Sequence, residues 1–267
     1  KTVAVKEIVV RKQLEFRSLY AHVESLAVEN EHINPFEGIY LKEQPMYNIL
    51  GLVDDFCPYG SLFDIIVKGR ICMSKDLKKK ILIDAARGLE FLHSRSMSHG
   101  SVQLSNVLVC SIDPTEVCGK LSTNYLFTTF MNVMMHPAEI THQERYDDPY
   151  IYLAPEFFKG TPINALQGSA DMASDVYAFG MVMYQLLCSS GGTILNSPVE
   201  VSDHCTEELM NDKKKKQLME SLFSSTPEQS GLTDMEYRLV LDCWTRLDDT
   251  NRVRPTIHEI CERLEAM

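Results

Sequence analysis

The residues from Ser98 to Asn106 constrain the fold most, because this polar loop, S-H-G-S-V-Q-L-S-N, directly follows the pattern of a long apolar helix. Ser74 is placed to cap the first turn of that helix. Apolar residues then recur at every fourth position: Leu77, Ile81, Ala85 and Leu89. Three further motifs follow the loop in order: L-A-P-E at 153–156, S-D-V-Y-A-F-G at 174–180 and R-P-T at 254–256. Each is short enough to arise by chance, but the order of all of them is not easily explained that way.

This ordered set resembles the motifs of the protein kinase family. The loop keeps the frame of the kinase catalytic loop, H-R-D-x-x-x-x-N, but Gly100 and Ser101 stand where the frame has Arg and Asp. In the family that Asp accepts the proton of the substrate hydroxyl, which a serine cannot do at neutral pH. The resemblance covers nearly the whole chain, from T-V-A-V-K at 2–6, similar to the V-A-I-K strand, to a closing helix near Met267. It therefore implies a pseudokinase.

The resemblance implies an α+β, two-lobed kinase-like fold with a small, mainly β N-lobe and a large helical C-lobe. We expect the N-lobe remnant over residues 1–56, and the C-lobe, with a degenerate catalytic loop and activation segment, over 57–267. β-Branched and apolar runs predict strands at 3–5, 8–10, 33–39 and 49–53, and helical spacing predicts a helix at 13–27. A Pro and a Gly at 56–62 suit a hinge. The family's first two strands and glycine-rich loop are absent from the chain, so either the sequence is a fragment or this cover has been lost.

The later segments predict helices with distinct environments. Residues 176–187 are apolar almost all round, which is typical of a buried central helix. Two further helices each carry one apolar face. These faces consist of Tyr237, Val240, Leu241 and Trp244, and of Ile257, Ile260, Cys261 and Leu264.

By resemblance, Lys6 would contact the phosphates of ATP and pair with a glutamate on the following helix. Counting back from His32 places that partner position at Ala21, so the ion pair is predicted to be missing. Glu24, one turn along, is the alternative partner if the helix is rotated. The alternative for Lys6 is an ordinary solvent-exposed lysine at the end of a strand.

The metal-binding position is also predicted to be degenerate. The resemblance aligns Thr123-Asn124-Tyr125 with D-F-G, and neither Thr123 nor Asn124 supplies a carboxylate. Mg²⁺ prefers charged oxygen ligands. With Asn106 as the surviving candidate ligand, we expect ATP binding to be weak or absent and Mg²⁺ not to bind. Asn106 has an equally good structural interpretation, in which it ties down its own loop.

Asp54 falls at the gatekeeper position, which in the family faces the adenine pocket. Burying a carboxylate there is costly without a partner. The pocket is therefore expected to be wet, filled by side chains or differently shaped.

Residues that hold the kinase C-lobe together look intact. By resemblance, Glu156 and Arg254 form a buried salt bridge, and Asp175 fastens the backbone of the catalytic loop. Removing one partner of such a pair typically costs about 3–5 kcal/mol. His99 is predicted to be a packed core residue and not a replacement base.

Composition fits a folded domain that does not bind nucleic acid. The chain has 267 residues, of which 45% are hydrophobic and 24% charged, within the globular range. A formal net charge of −11 disfavours nucleic acids and anionic lipids, and the basic run Lys213–Lys216 reads as a solvated helix face. No long uncharged apolar run predicts membrane insertion. The eight scattered cysteines predict reduced thiols in a cytoplasmic protein.

The leading functional hypothesis is a non-catalytic signalling module that binds a protein partner or a neighbouring domain and regulates it allosterically. The alternatives are an atypical kinase with residual phosphotransferase activity, and a nucleotide sensor without turnover. Among kinases, the tyrosine-kinase and tyrosine-kinase-like branches look most similar. The His-Gly pair also resembles the kinase-homology domains of receptor guanylyl cyclases and the pseudokinase domains of Janus kinases and of the necroptosis effector.

Overall fold

The computed structural model describes residues 1–10, 16–66, 71–126, 152, 154, 172–188, 231–245 and 253–267. Some of the residues singled out above lie outside these ranges, namely 13–15, all of the L-A-P-E motif except Ala154, and Lys213–Lys216. Within the described part of the chain, none of the helices combines the length and apolarity that crossing a bilayer requires.

The N-terminal part is a three-stranded antiparallel sheet with one helix. Its strands are β1 (Val3–Val10), β2 (Phe36–Glu43) and β3 (Asn48–Asp55), in the order β1-β3-β2. Helix α1 (Phe16–Leu26) follows β1 and contacts β2. The two strands predicted at 3–5 and 8–10 are thus one continuous strand, whereas the strand predicted at 49–53 is confirmed. The helix predicted at 13–27 is confirmed over Phe16–Leu26, and residues 13–15 lie outside the described ranges.

The strand predicted at 33–39 starts later than expected. Ile33 forms a parallel bridge with Leu121, and the Asn34 backbone N donates to the Leu121 carbonyl at 2.7 Å. Pro35 has no N–H to continue a ladder. Regular pairing with β3 therefore begins at Phe36, and the segment before it ties the sheet to the helical part instead.

The C-terminal part is mainly helical. Its elements are α2 (Leu62–Ile66), α3 (Lys75–Ser94), a 3₁₀ turn (Leu104–Asn106), the hairpin strands β4 (Val107–Ser111) and β5 (Cys118–Leu121), and helices α4 (Met172–Leu187), α5 (Asp234–Cys243) and α6 (Ile257–Glu265). Ser74 caps α3 as predicted, its hydroxyl accepting from the Leu77 N at 3.2 Å. Capping boxes at Thr233 and Thr256 begin α5 and α6.

Helix α4 is the centre of the larger core, as its sequence predicted. Every residue from Ser174 to Leu187 is buried. The predicted apolar faces of α5 and α6 join the same core, with Tyr237 and Leu241 partly buried. The core also includes α3 and the hairpin.

A smaller apolar cluster joins the sheet to the helical part. Leu50, Leu52 and Ile39 from the sheet pack there with Leu92 of α3 and Tyr125. At the same junction α3 passes very close to the backbone: a Cβ added at Gly88 would lie 2.7 Å from the His32 carbonyl oxygen. The two parts are therefore in direct contact beside the cavity described next.

Candidate functional site

A cavity of about 460 Å³ lies between the sheet and the helical part. It is lined by β1, the end of β3, the connection into α2, the catalytic-loop segment around Asn106, and residues 122–124. Lys6, Asn106 and Thr123, which the sequence placed in one site, do line the same cavity.

The Lys6 ammonium lies in this cavity and contacts two amides. It donates to Asn106 Oδ1 at 3.4 Å and to Asn124 Oδ1. Asn124 was not predicted as a partner, because the sequence search at this position looked for a carboxylate. Lys6 is therefore not a solvent-exposed residue at a strand end, and it bridges the catalytic loop to the segment aligned with D-F-G.

Helix α1 presents both candidate partner positions of Lys6 to solvent. Ala21 is exposed. Glu24 is also exposed, and its carboxylate accepts a hydrogen bond from the Tyr20 hydroxyl at 3.4 Å. The described contacts of Lys6 are therefore with the amides of Asn106 and Asn124 and include neither of these positions.

Asp54 and Thr123 face each other across the cavity wall. The buried Thr123 hydroxyl lies 2.7 Å from both oxygens of the Asp54 carboxylate. Burial raises the pKa of Asp54 to about 6, although the hydrogen bond from Thr123 and the charge of Lys6 oppose the rise. The hydroxyl thus supplies the partner that a carboxylate at this position requires, and the pocket stays open.

The backbone of the catalytic loop is fixed by Asp175. Its two carboxylate oxygens accept from the His99 N at 2.7 Å and the Gly100 N at 2.8 Å. His93 Nε2 lies 3.0 Å from the same carboxylate. Gly100 has a φ of 67°, a conformation that favours glycine. These are the contacts that the kinase resemblance implied for Asp175.

His99 is buried beneath the loop and does not line the cavity. Its Nδ1 accepts from the Ser101 N at 3.3 Å and its Nε2 donates to the Ser122 carbonyl at 3.2 Å. Burial lowers the pKa of His99, so the ring is held neutral. This environment is that of a packing residue.

Asn106 ties down its own loop. Its Nδ2 donates to the Ser101 carbonyl at 2.7 Å and to the Ser101 Oγ at 3.0 Å. Together with the contact to Lys6, these bonds engage both ends of the Asn106 amide. The Ser101 hydroxyl is likewise held against Asn106.

A family model for protein tyrosine and serine/threonine kinases matches residues 1–264. The chain belongs to this kinase family. The described structure has the corresponding two parts, a small sheet-rich lobe and a helical lobe.

Relatives of this kinase domain include proteins with several activities in their names. The chain is 26% identical to retinal guanylyl cyclase 2 of Homo sapiens over 70% of its length, which is 15% of that protein. It is 26% identical to a probable inactive receptor kinase of Arabidopsis thaliana over 90% of its length, or 34% of that protein. A probable serine/threonine-protein kinase of Dictyostelium discoideum is 27% identical over 80% of the chain and 14% of that protein. The chain thus spans between 14% and 34% of the length of these relatives.

The kinase C-lobe anchor Arg254 is buried and bound to backbone carbonyls. Its Nε donates to Thr245 O at 2.9 Å and its Nη1 donates to Ala173 O at 3.0 Å. Its guanidinium carbon lies 5.2 Å from the centre of the Tyr177 ring. Because Glu156 is outside the described residues, its salt bridge with Arg254 stays a prediction.

The charge around the kinase cavity is unusual for a phosphate site. Three carboxylates, Asp54, Asp55 and Asp64, line it together with the ammonium of Lys6. Among the described residues, no cluster of three or more His, Cys, Asp or Glu side chains is arranged to hold a metal ion. A polyphosphate entering the cavity would therefore meet more negative than positive side chains.

Proposed function

We propose that this domain is a catalytically inactive kinase-like module that acts as a signalling scaffold or allosteric regulator through protein–protein contacts. The observation that carries the proposal is the hydrogen bond between Thr123 and Asp54. At the position where an active kinase holds its metal carboxylate, this chain has a neutral hydroxyl, already bound to the protein's own acid.

The catalytic loop supports the same conclusion. Ser101 stands at the position of the general base and is bonded to Asn106, while the neighbouring His99 is buried and neutral. A positioned general base contributes roughly 10²–10⁴-fold to the rate. Electrostatic stabilisation by metal and lysine supplies much of the remainder. Loss of the base together with the metal carboxylate leaves no useful phosphotransfer.

The regulated partner is a protein or a neighbouring domain. The relatives named above are all longer than the chain, and one is named as a probable inactive receptor kinase and another as a guanylyl cyclase. A kinase-like module within such a protein regulates by changing the position of its lobes or helices. The net charge of −11 argues against nucleic acid as the partner.

The first test is phosphotransfer from radiolabelled ATP to a general protein substrate and to the domain itself, with Mg²⁺ or Mn²⁺. We expect no incorporation above that of a Lys6→Ala variant. Incorporation that disappears in Lys6→Ala would contradict the proposal and favour an atypical kinase. The second test is made in the natural protein that carries this domain. Lys6→Ala is expected to leave the signalling output of that protein unchanged. Deletion of residues 1–267 is expected to change the output.

A nucleotide sensor without turnover is a second candidate, supported by the open cavity of about 460 Å³ and by Lys6 within it. A ligand at one hundred times its dissociation constant adds about 2.7 kcal/mol of stability. Thermal unfolding with ATP, with and without Mg²⁺, separates the candidates. No shift favours a nucleotide-free scaffold, and a metal-independent shift that Lys6→Ala removes favours a sensor. A shift that requires Mg²⁺ favours an active kinase.

A further inference from the structure

Two free cysteines lie in contact at the hinge. The Sγ atoms of Cys57, just after β3, and Cys110, on β4, are 2.6 Å apart. They are 53 positions apart in the sequence, so no local cysteine motif predicts their contact. A disulfide bond is about 2.05 Å long, so a small movement of either side chain brings the sulfurs to bonding distance.

The backbone holds this pair of cysteines together. The Val109 N donates to the Gly60 carbonyl at 2.8 Å, and the Tyr59 N donates to the Val109 carbonyl at 3.3 Å. An antiparallel bridge between Ser61 and Leu108 extends the pairing. Backbone hydrogen bonds therefore hold the hinge against β4 next to the two cysteines.

The two thiols are chemically unequal. The Cys57 and Cys110 thiols share one hydrogen bond, and this bond together with the nearby Lys120 ammonium lowers the pKa of Cys57. The bond raises the pKa of Cys110, which keeps its proton. When Cys57 is a thiol, its S–H donates a hydrogen bond to Asn34 Oδ1, which lies 3.4 Å from the sulfur. The thiolate is the reactive form of cysteine, so Cys57 is assigned as the attacking thiol, an assignment that the variants below test.

A small oxidant has a route to the cysteine pair. Cys57 is only 5% exposed, but it is one of the residues that line the cavity. Cys110 is on the other side of the contact and is partly exposed. A small peroxide therefore approaches the pair from the partly exposed side at Cys110.

We propose that Cys57 and Cys110 are a redox modification site that forms a reversible disulfide with a peroxide as oxidant. The Cys57 thiolate attacks one peroxide oxygen, the O–O bond breaks, and the products are a Cys57 sulfenic acid and water. The Cys110 sulfur then attacks the Cys57 sulfur, and the hydroxyl leaves as a second water. Overall, two thiols are oxidised and one peroxide is reduced to two waters. Thiol reductants reverse the bond.

The disulfide fastens the hinge to the β4–β5 hairpin. The hinge segment also forms one wall of the cavity, so oxidation fixes the spacing between that wall and the hairpin. Closing a loop of this length restricts the unfolded chain. We therefore expect oxidised protein to melt roughly 5–10 °C higher than reduced protein.

The experiment treats the purified 267-residue protein with hydrogen peroxide, blocks the remaining thiols with N-ethylmaleimide and maps non-reduced peptides by mass spectrometry. We expect a linked Cys57–Cys110 peptide that dithiothreitol removes, and the higher melting temperature in the oxidised sample. Recovery of both cysteines as N-ethylmaleimide adducts after peroxide treatment would overturn the proposal. So would a bond between Cys110 and Cys118, the neighbouring cysteine on β5.

Matched variants test the direction of the reaction. In Cys110→Ser the resolving thiol is gone, so dimedone, which traps sulfenic acids, is expected to label Cys57. Stronger labelling of Cys110 in Cys57→Ser would overturn the assignment of Cys57 as nucleophile. Cys72→Ser removes an exposed cysteine away from the pair and is expected to leave the linked peptide unchanged. The melting temperature of each serine variant in its reduced form, measured before peroxide is added, verifies that the variant is folded.

Discussion

Asp54 and Thr123, 69 positions apart in the sequence, are joined by a hydrogen bond in which the hydroxyl lies 2.7 Å from both carboxylate oxygens. Resemblance to kinases places these residues at the gatekeeper and at the metal-binding position. In an active kinase the carboxylate stands at the metal-binding position, whereas in this chain it stands at the gatekeeper position, as Asp54. The carboxylate therefore binds the protein's own hydroxyl.

The first prediction concerns pH. The pKa of Asp54 is about 6 in the folded protein and about 3.9 in an unfolded chain. Between these values the native state binds more protons, so the contribution of Asp54 to stability falls as pH rises from about 4 to about 6. Asp54→Asn keeps an oxygen for Thr123 and does not titrate. We expect this variant to have nearly the same free energy of unfolding as the wild type at pH 4. At pH 7 and above it is expected to be more stable than the wild type by about 2–3 kcal/mol.

Urea unfolding of both proteins across this pH range measures the difference. Glu29→Gln, which removes an exposed carboxylate, is the matched control and is expected to show no such trend. A stability difference for Asp54→Asn that is the same at pH 4.5 and pH 7.5 would show that Asp54 is not held in a raised-pKa environment.

The second prediction is that Asp54 and Thr123 are energetically coupled. Thr123→Asp places a second carboxylate against Asp54, and we expect it to destabilise by about 2–4 kcal/mol at pH 7.5. The double variant Asp54→Thr, Thr123→Asp restores one acid and one hydroxyl in exchanged positions. It is expected to recover most of that loss. A double-mutant cycle from urea unfolding measures the coupling, and additive single effects would contradict it.

The third prediction concerns the anchor of the catalytic loop. Asp175→Ala leaves the N–H groups of His99 and Gly100 without their acceptor. We expect a loss of about 2–5 kcal/mol and faster hydrogen exchange at these two amides. Asp175→Asn retains one oxygen and is expected to lose about half as much. Equal protection of both amides in Asp175→Ala and wild type would argue that the loop is held by other contacts.

The fourth prediction concerns the contact between the two lobes at Gly88. In an exposed helix, Gly→Ala stabilises by about 1 kcal/mol. Here the added Cβ would lie 2.7 Å from a backbone oxygen that cannot rotate away. We expect Gly88→Ala to destabilise by about 1–3 kcal/mol because of overpacking. Thermal unfolding decides the sign, and a higher melting temperature would mean that the close approach is relieved at little cost.

Features that depend on neighbouring residues were predictable from the sequence. Ser74 caps its helix because the hydroxyl needs only the amide three residues on, and 176–187 is buried because its own composition leaves no polar face. The predicted start of β2 at residue 33 is wrong because the pairing of Ile33 with the distant Leu121 overrides local strand propensity.

The candidate site was predictable in membership but not in contacts. Resemblance placed Lys6, Asn106 and Thr123 together. It did not show that Lys6 binds Asn124 or that Thr123 binds Asp54, because a missing carboxylate does not indicate which polar group takes its place. The contact between Cys57 and Cys110 depends on tertiary pairing of the hinge with β4, which no local pattern records.

The hydrogen bonds from His99 and Gly100 to Asp175, and from the Asn106 amide to the Ser101 carbonyl, have a consequence for mutational tolerance. The shape of the catalytic loop is set by backbone groups of the loop itself and by two side chains outside position 101. The side chain at position 101 can therefore change while the loop keeps its conformation. In such an architecture, catalysis and folding are separately mutable properties, and the first can be lost without passing through an unstable protein.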